Sequence, residues 1–413
     1  MTGPPAHPAS GAPQPPGGAE APAGHPAPDI AFHRATAGTV RAQKVALVVG
    51  GAIGAVVAIL AMLAFILGEA GPIGLAIGLF AAVLPAPLYL ALGLRIDRYE
   101  PEPVGMLLGA FVWGATGAVV IALVLNTAAG LIVGSSYGEQ AGELFAGNVS
   151  APIVEETAKA LALLAIYRWR RNELNGVLDG LVYAAMVGLG FATVENILYY
   201  ARSAVDGSVV VVFVLRGILS PYAHPVFTAM TGIGIALAVR ARRPAVRVLA
   251  VMGGLLGAIA LHSLWNTSTG LLGGLGFLLA YALVFVPLFV AILVTVGYAR
   301  RRELLTVARE LRHEVETGLL PPEELAALSS PVVRRHALRR AKKVGAKRLR
   351  RRFQVAATEL AFLREQAHAG RYFGDASPAD QDALYQHELK RLQEELAARA
   401  ARAAPVGYPA RRR

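Results

Sequence analysis

A series of long apolar stretches, which begins at Val45 and ends at Tyr298, constrains this chain more than any other feature. A helix that crosses about 30 Å of hydrocarbon needs about 20 mostly apolar residues. Eight stretches have a suitable length: Val45–Leu67, Pro72–Leu94, Val104–Leu125, Val149–Ile166, Val177–Tyr200, Tyr222–Val239, Val246–Trp265 and Leu271–Tyr298. The composition agrees, since 55% of the residues are hydrophobic and only 16% are charged. The predicted fold class is all-α, a polytopic membrane helix bundle of about eight transmembrane helices.

Basic residues at the ends of the stretches predict the orientation of this bundle. They fall at alternate ends: Arg41 and Lys44, Arg95 and Arg98, Arg168, Arg170 and Arg171, Arg240, Arg242 and Arg243, and Arg300–Arg302. The opposite loops contain few Lys or Arg residues. Eight crossings with both termini in the cytoplasm satisfy this pattern, which places the chain in a plasma membrane as a multi-pass protein.

The composition predicts three regions. Residues 1–40 are rich in Pro, Ala and Gly and are expected to be a disordered cytoplasmic tail. Residues 41–300 form the membrane core, and residues 301–413 form a basic, helical cytoplasmic region. Its densest basic block, Arg334–Arg352, is interpreted as a solvated helical face beside an anionic leaflet of the lipid bilayer. A specific protein or nucleic-acid partner remains the alternative, although no nucleic-acid-binding fingerprint is present.

The fourth apolar stretch carries three ionisable residues, Glu155, Glu156 and Lys159. Each ionisable residue at the centre of a spanning helix costs roughly 2.5–3.5 kcal/mol on insertion scales. Glu155 and Lys159 are four residues apart and share a helix face, so each can neutralise the other. The three residues are therefore expected either to form a structural ion network or to perform chemistry inside the membrane.

Four different stretches deliver polar residues to a similar membrane depth. Glu155 lies thirteen residues before Arg168, or about 20 Å from the cytoplasmic side. Glu195 lies late in the next stretch, at about 25 Å by the same rise. His224 lies near the outer start of the sixth stretch and His262 near the outer end of the seventh. This convergence in the outer half of the bilayer predicts one site.

The residue types at this depth favour hydrolysis. A carboxylate in a pocket of low dielectric can act as a general base on water. Two histidines and one glutamate can hold a catalytic Zn²⁺ ion with an open position for water. The amide of Asn266, one turn beyond His262, can stabilise an oxyanion. The chain contains no cysteine, which excludes disulfides and thiolate metal sites.

An ion- or proton-coupled transporter is the main alternative, because transporters also place carboxylates and histidines inside the membrane. The sequence shows neither a clear internal repeat nor a matched pair of broken helices, which are typical of such proteins. A catalytically silent membrane scaffold, whose basic tail recruits a partner, is a second alternative.

Five motifs, in order, resemble those of the PrsW-type intramembrane proteases. They are DRYEPEP (Asp97–Pro103), EETAK (Glu155–Lys159), FATVEN (Phe191–Asn196), HPVFTAMTG (His224–Gly232) and HSLWN (His262–Asn266). The resemblance covers about Pro72–Tyr298. It implies a membrane-embedded metalloprotease that cleaves a transmembrane or juxtamembrane protein segment, as in regulated intramembrane proteolysis in bacteria. Related glutamate-dependent membrane proteases, which include the CAAX prenyl proteases, typically show EExxxR, FxxxH and HxxxN.

This chain departs from that wider pattern, since it has EExxK and places Glu195 where the second motif ends in histidine. The metal question therefore stays open between Zn²⁺ or another divalent metal and metal-independent glutamate chemistry. The roles expected from the resemblance are as follows: Glu155 is the general base, Glu156 and Lys159 set its charge state, Glu195, His224 and His262 bind metal or water, and Asn266 helps to hold the oxyanion.

Overall fold

The structure is a computed structural model, and it describes residues 30–95, 102–171, 174, 176–270, 273–370 and 377–403. The side chains of residues 30–48 and of residue 270 are outside this description. The predicted disorder of residues 1–40 therefore lies largely outside the described part, in which a helix begins at Ile30. The described residues contain helices and no strand, which confirms the all-α fold class.

Seventeen α-helices lie in the described part of the chain. In chain order they are α1 (Ile30–Val83), α2 (Ala86–Gly93), α3 (Val104–Trp113), α4 (Val119–Tyr137), α5 (Glu139–Phe145), α6 (Ala151–Trp169), α7 (Val177–Val205), α8 (Val209–Phe213), α9 (Ala223–Arg240), α10 (Pro244–Gly270), α11 (Gly273–Ala280), α12 (Val286–Glu310), α13 (Arg312–Glu316), α14 (Pro322–Leu328), α15 (Pro331–Lys343), α16 (Lys347–His368) and α17 (Pro378–Ala403). Four π-helical turns adjoin them: Gly114–Ala118, Ala146–Ser150, Val214–Leu219 and Tyr281–Phe285.

The chain divides into two compact units, Met1–Gly54 and Ala55–Arg413. In the first unit the structure describes only the helical backbone from Ile30 and the side chains from Val49. The second unit contains every side chain that the predicted site requires. The features below belong to this second unit.

Six helical stretches of the described residues are long and apolar enough to cross a membrane: Val49–Gly93, Val104–Tyr137, Val177–Val205, Val209–Arg240, Pro244–Thr269 and Gly273–Glu316. The first overlaps most of the first two predicted spans, with non-helical backbone at Gly71 between them. The fourth predicted span corresponds to α6, which is missing from the six because it carries Glu155, Glu156 and Lys159. A polytopic membrane bundle is confirmed, whereas the count of eight crossings and the cytoplasmic termini stay predictions.

Helix α7 lies at the centre of the bundle, and most of its first sixteen residues are buried. Its glycines permit close packing of the neighbouring helices. A Cβ atom on Gly188 would lie 2.7 Å from the Pro225 nitrogen of α9, and one on Gly190 would lie 2.1 Å from the Phe111 oxygen of α3. Small residues allow helix backbones to approach closely in membranes. The close approach at Gly188 places the start of α9, with His224, directly against α7.

The backbone breaks at Ser220–Tyr222, between the π-helical turn Val214–Leu219 and the start of α9. Pro221 lies inside the break and Pro225 lies in the first turn of α9, where its missing N–H group leaves no hydrogen bond unmade. Non-helical backbone is tolerated at membrane depth where it is buried in protein or lines a cavity. The break therefore predicts a cavity beside it.

Helix α12 continues from the bundle into a helical domain formed with α13–α17, the C-terminal domain. Its own apolar core includes Leu311, Leu328, Phe353, Leu360 and Leu389. The helical structure predicted for residues 301–413 is therefore present in the described part of this region. The chain leaves the helical conformation at residues 317–321, between α13 and α14.

Ion pairs hold α16 against its neighbours in this domain. The Arg364 guanidinium donates one hydrogen bond of 2.7 Å to Glu314 and another of 3.0 Å to Asp382. Burial acts to lower the pKa of Arg364, but the hydrogen bonds to Asp382 and Glu314 outweigh it and raise this pKa above its usual value. Arg364 is therefore a structural cation of the domain core.

Two residues of the basic block Arg334–Arg352 are buried rather than solvated. Arg334 donates 3.2 Å to Thr358, and Arg350 makes a bidentate pair with Glu324 at 2.9 and 2.6 Å. The other basic residues of the block are exposed: Arg335, Arg339, Arg340, Lys342, Lys343, Lys347, Arg348, Arg351 and Arg352.

Candidate functional site

The two adjacent glutamates of α6 have different surroundings. Consecutive residues on a helix point about 100° apart, because a turn contains about 3.6 residues. The Glu155 side chain is 8% exposed and lines a polar cavity, whereas the Glu156 side chain is fully buried behind it. Pro152 lies in the first turn of this helix, where a proline is well tolerated. Glu155 therefore contacts the cavity directly, whereas Glu156 affects it only through the side chains between them.

Glu156 accepts hydrogen bonds from three different helices. Its Oε1 atom lies 2.9 Å from Lys159 Nζ on α6 and 3.1 Å from His262 Nδ1 on α10. Its Oε2 atom accepts from the Thr228 hydroxyl of α9 at 2.9 Å. A buried carboxylate with a paired cation and two further donors is well compensated. Glu156 therefore ties α6, α9 and α10 together.

His262 turns its second ring nitrogen towards Glu155. A carboxylate such as Glu156 is an acceptor, so the proton of His262 is assigned to Nδ1. The Nε2 atom then carries a lone pair, and it lies 3.9 Å from Glu155 Oε2. A carboxylate behind the distal nitrogen is the usual support for a histidine that binds a metal. His262 therefore offers a lone pair beside the cavity carboxylate.

His224 has the opposite arrangement. Its Nδ1 atom lies 2.9 Å from Lys159 Nζ, and an ammonium group only donates hydrogen bonds. The proton of the neutral ring is therefore assigned to Nε2, which donates to Glu195 Oε2 at 2.7 Å. Lys159 also lies 3.8 Å from the centroid of the Phe191 ring, a favourable cation–π contact.

Glu195 forms a second ion pair, with Arg216 in the π-helical turn before the backbone break. The Arg216 Nε atom donates to Asn196 at 2.7 Å, and its guanidinium lies 3.9 Å from the Tyr199 ring centroid. Arg216 was not among the site residues predicted from the sequence. It is the one charged residue in the apolar run Val209–Leu219, and a charge at membrane depth is by itself a sign of a functional site.

Thr228 was also missed, although it lies four residues after His224 on the same face of α9. This spacing was the signal that could have identified it. Thr228 is fully buried, and its hydroxyl group donates a hydrogen bond to Glu156.

Asn266 is held by the turn that precedes α6. Its Nδ2 atom donates to the Gly147 oxygen at 2.7 Å, and the nearby Ser263 hydroxyl donates to the Asn148 oxygen at 2.9 Å. Both acceptors lie in the π-helical turn Ala146–Ser150, and π-helical turns are frequent at functional sites. One N–H of the amide is therefore used in positioning Asn266 at the cavity.

The polar cavity has a volume of about 80 Å³, which is room for a few water molecules at about 30 Å³ each. Five of the seven predicted site residues line it: Glu155, Glu195, His224, His262 and Asn266. The other two, Glu156 and Lys159, lie behind this lining. The structure thus brings all seven together, along with Arg216 and Tyr199.

Among the described residues, Glu155, His224 and His262 form a group that could hold a metal ion, with their ligand atoms all within 4.8 Å of one another. Glu195, expected as a ligand, lies outside this group and is bonded to His224 instead. The donor set fits a divalent cation, since it offers one carboxylate oxygen and two imidazoles. Glu155 and His262 present free lone pairs, whereas binding at His224 Nε2 displaces the proton shared with Glu195.

Comparison with known proteins identifies relatives of this region. Residues 102–292 match the model of the PrsW family intramembrane metalloprotease. The chain is 32% identical over 154 residues to Protease PrsW of Geobacillus kaustophilus (strain HTA426), covering 37% of this chain and 62% of that protein. It is 33% identical over 136 residues to Protease PrsW of Clostridioides difficile (strain 630), covering 33% and 55%. For Protease PrsW of Bacillus subtilis (strain 168), the identity is 30% over 152 residues, covering 37% and 64%.

The chain therefore spans somewhat more than half the length of these curated relatives. No solved structure matches this chain. The resemblance drawn from the motifs is confirmed over residues 102–292. The apolar helices and the bacterial relatives identify a multi-pass bacterial membrane protein. The names of these relatives favour neither a transporter nor a scaffold.

Proposed function

We propose that this protein is an intramembrane endopeptidase that hydrolyses a peptide bond of a membrane-associated protein. The observation that carries the proposal is the pair formed by Glu155 and His262. Here a carboxylate and an imidazole lone pair from two helices meet at one polar cavity. The family match of residues 102–292 supports the same reaction class.

In the proposed mechanism, Glu155 acts as general base. Its Oε2 atom faces Lys159 and His262, and the second oxygen of the carboxylate takes a proton from the attacking water. Asn266, fixed by the Gly147 oxygen, directs its remaining amide N–H at the oxyanion that forms on the substrate carbonyl. Proton transfer by a positioned group typically contributes about 10²–10⁴-fold to the rate.

Two buried residues position this machinery without facing the cavity. Glu156 fixes the His262 ring by accepting its Nδ1 proton, and Lys159 balances the two adjacent carboxylates. Glu195 holds His224 and is itself paired with Arg216. These bonds keep the reacting groups in one geometry before a substrate enters.

We further propose that His224, His262 and one carboxylate oxygen of Glu155 would hold Zn²⁺ or another divalent metal, which leaves the second Glu155 oxygen to act as the general base. Such an ion, when bound, would polarise the substrate carbonyl and lower the pKa of a bound water. Its ligands would differ from the sequence-based set by the exchange of Glu195 for Glu155, because Glu195 lies behind His224 in the hydrogen-bond chain.

Cleavage by reconstituted protein tests the proposed function. The protein would be placed in nanodiscs with a panel of single-span peptides, and the products would be identified by mass spectrometry. We expect cleavage by the wild type and at least about 100-fold slower cleavage by Glu155→Gln. Glu143→Gln, at an exposed residue of α5, serves as the matched control and should retain the wild-type rate. Absence of cleavage, together with substrate-dependent ion flux in liposomes, would replace the proposal with the transporter.

The proposed topology and domain organisation follow the sequence pattern: a cytoplasmic tail at 1–40, a core with eight crossings at 41–300, and a cytoplasmic helical region at 301–413. The chain has no cysteine, so single introduced cysteines give an unambiguous labelling experiment. Labelling with an impermeant reagent should reach residue 143 from outside, and residues 242 and 348 only after the membrane is opened. The reverse pattern at any of them would refute this topology.

We also propose that the exposed basic residues of α15 and α16 lie on an anionic leaflet. Residues 325–358 contain no acidic side chain, and each basic residue near such a surface contributes about 1 kcal/mol of attraction. Hydrogen exchange of residues 335–352 should slow in nanodiscs with anionic lipid compared with neutral ones. Arg339→Glu combined with Arg348→Glu should abolish the difference in exchange between the two kinds of nanodisc. Equal exchange rates of the wild type in anionic and neutral nanodiscs would exclude the contact.

A further inference from the structure

A second cavity, of about 210 Å³, lies beside the polar one. Four residues line both cavities: Ser220, Pro221, Ala223 and Trp265. The first three belong to the backbone break and the start of α9, and Trp265 directly precedes Asn266 on α10. The two cavities thus share a wall made of the same residues that shape the site.

The second cavity is lined mainly by aromatic and aliphatic side chains. The rings of Phe227, Trp265 and Phe285 contact each other with centroids 5.0 to 6.3 Å apart, and they form its inner side. Phe227 and Phe285 are buried, so this side is held by packing. Buried aromatic contacts of this kind are well defined in geometry. The inner surface is therefore a formed apolar pocket.

The outer rim of the pocket is exposed on the surface of the bundle. Val286 and Phe289 of α12 lie on this rim and are 42% and 39% exposed. Both belong to the apolar stretch Gly273–Glu316, which is long and apolar enough to span a membrane. The pocket therefore opens at the exposed surface of an apolar helix, where it would be accessible to a transmembrane segment in the same bilayer.

We propose that this pocket is a specificity subsite that receives one large apolar side chain of a transmembrane substrate, next to the bond that is cleaved. The inference rests on the proposed peptidase function. The expected occupant is a substrate side chain, because the pocket shares a wall with the catalytic cavity. A peptide whose carbonyl lies at Asn266 can reach the pocket with a neighbouring side chain, on the far side of Trp265. A lipid chain in the pocket would bury the same apolar surface, but it would place no peptide bond in the catalytic cavity.

Two variants of the rim change the volume of the subsite in opposite directions. Val286→Phe fills its mouth, and Phe289→Ala enlarges it. Val294→Phe, two turns further along α12 at a position 65% exposed and away from the pocket, is the matched control. The substrates are single-span peptides that differ only by Ala, Leu or Phe at one position near the cleavage site.

For the wild type we expect at least about tenfold higher kcat/KM for Leu or Phe than for Ala at one such position, as apolar pockets discriminate by about 10- to 200-fold for small changes in size. Val286→Phe should lower this ratio at least fivefold, Phe289→Ala should move the preference from Leu to Phe, and Val294→Phe should keep the wild-type ratio. Cleavage with one unchanged ratio in all four proteins would overturn the subsite while leaving the peptidase intact.

A binding experiment separates the subsite from the peptidase. A peptide with a benzophenone side chain at the preferred position, or at each candidate position if nothing is cleaved, is cross-linked to each protein and mapped by mass spectrometry. Cross-links to Phe289 or Tyr281, reduced at least fivefold in Val286→Phe but not in Val294→Phe, support the subsite even if the proposed peptidase fails. Cross-links that avoid these residues, or that brominated lipid chains displace completely, overturn it.

Discussion

Replacement by glutamine is expected to affect stability at one of the two adjacent glutamates of α6 and catalysis at the other. Glu156 is fully buried and pairs with Lys159 at 2.9 Å, whereas Glu155 faces the cavity and lies 3.5 Å from the same ammonium. Glu156→Gln is therefore expected to destabilise the fold. Glu155→Gln is expected to abolish cleavage and to leave the fold nearly unchanged.

The size of the effect follows from the contacts of Glu156. Removal of one partner of a buried ion pair costs about 3–5 kcal/mol, because the remaining charge stays in a medium of low dielectric. The bonds from His262 and Thr228 also weaken, since they then meet a neutral amide. In Glu156→Gln the ammonium of Lys159 keeps only its longer contact with Glu155, at 3.5 Å. The addition of Lys159→Met would leave the Glu155 carboxylate without its cation and should therefore not recover the lost stability.

Unfolding in a titration with sodium dodecyl sulfate, followed by fluorescence of the three tryptophans, measures these differences in detergent. Glu155→Gln should lose less than about 1.5 kcal/mol, which is the typical net value of one hydrogen bond. Glu388→Gln, at a largely exposed ion pair with Arg352, is the control and should lose less than about 1 kcal/mol.

Two outcomes would refute the division between the glutamates. Equal loss of stability in Glu155→Gln and Glu156→Gln would show that both carboxylates serve the fold. Full stability of Glu156→Gln would show that Lys159 does not depend on it, and the assignment of Glu156 as the buried partner would be wrong.

Three further predictions concern the metal and the C-terminal domain. His262→Ala should lower the bound metal, measured by mass spectrometry of purified protein, from about one ion per chain to a trace, whereas His336→Ala in the exposed tail should not; equal metal in both would exclude His262 as a ligand. Chelation should reduce peptide cleavage at least about tenfold, and Zn²⁺ or another divalent metal should restore it; full activity after verified metal removal would leave metal-independent glutamate chemistry. Arg364→Ala should cost about 1–3 kcal/mol, because it breaks half-buried ion pairs with Glu314 and Asp382 and leaves the buried Glu314 carboxylate without its cation. Trypsin should therefore cleave residues 301–413 faster than in Arg348→Ala, and equal digestion would contradict that structural role.

Much of the fold could be predicted from the sequence because its strongest constraint is local. Apolar stretches of membrane length specify helices wherever they occur, since a helix satisfies its backbone groups within one segment. The positions of Glu155, Glu195, His224 and His262 along these stretches were sufficient to predict that the four residues converge. The bend at Gly71 and the backbone break after Leu219 affected the boundaries of the predicted spans but not their identity.

The roles of the individual side chains depended on the tertiary structure. Helical periodicity shows that Glu155 and Glu156 diverge, but it does not show which of them faces the cavity, because that depends on the rotation of α6 against α9 and α10. Glu195 matched a ligand by residue type, yet Arg216 and His224 both bond to one of its oxygens, Oε2, and it lies outside the group that could hold a metal. Arg216 comes from a separate segment, and only packing brings it there. Local sequence thus determines which polar groups enter the membrane, whereas contacts between distant segments determine what each of them binds.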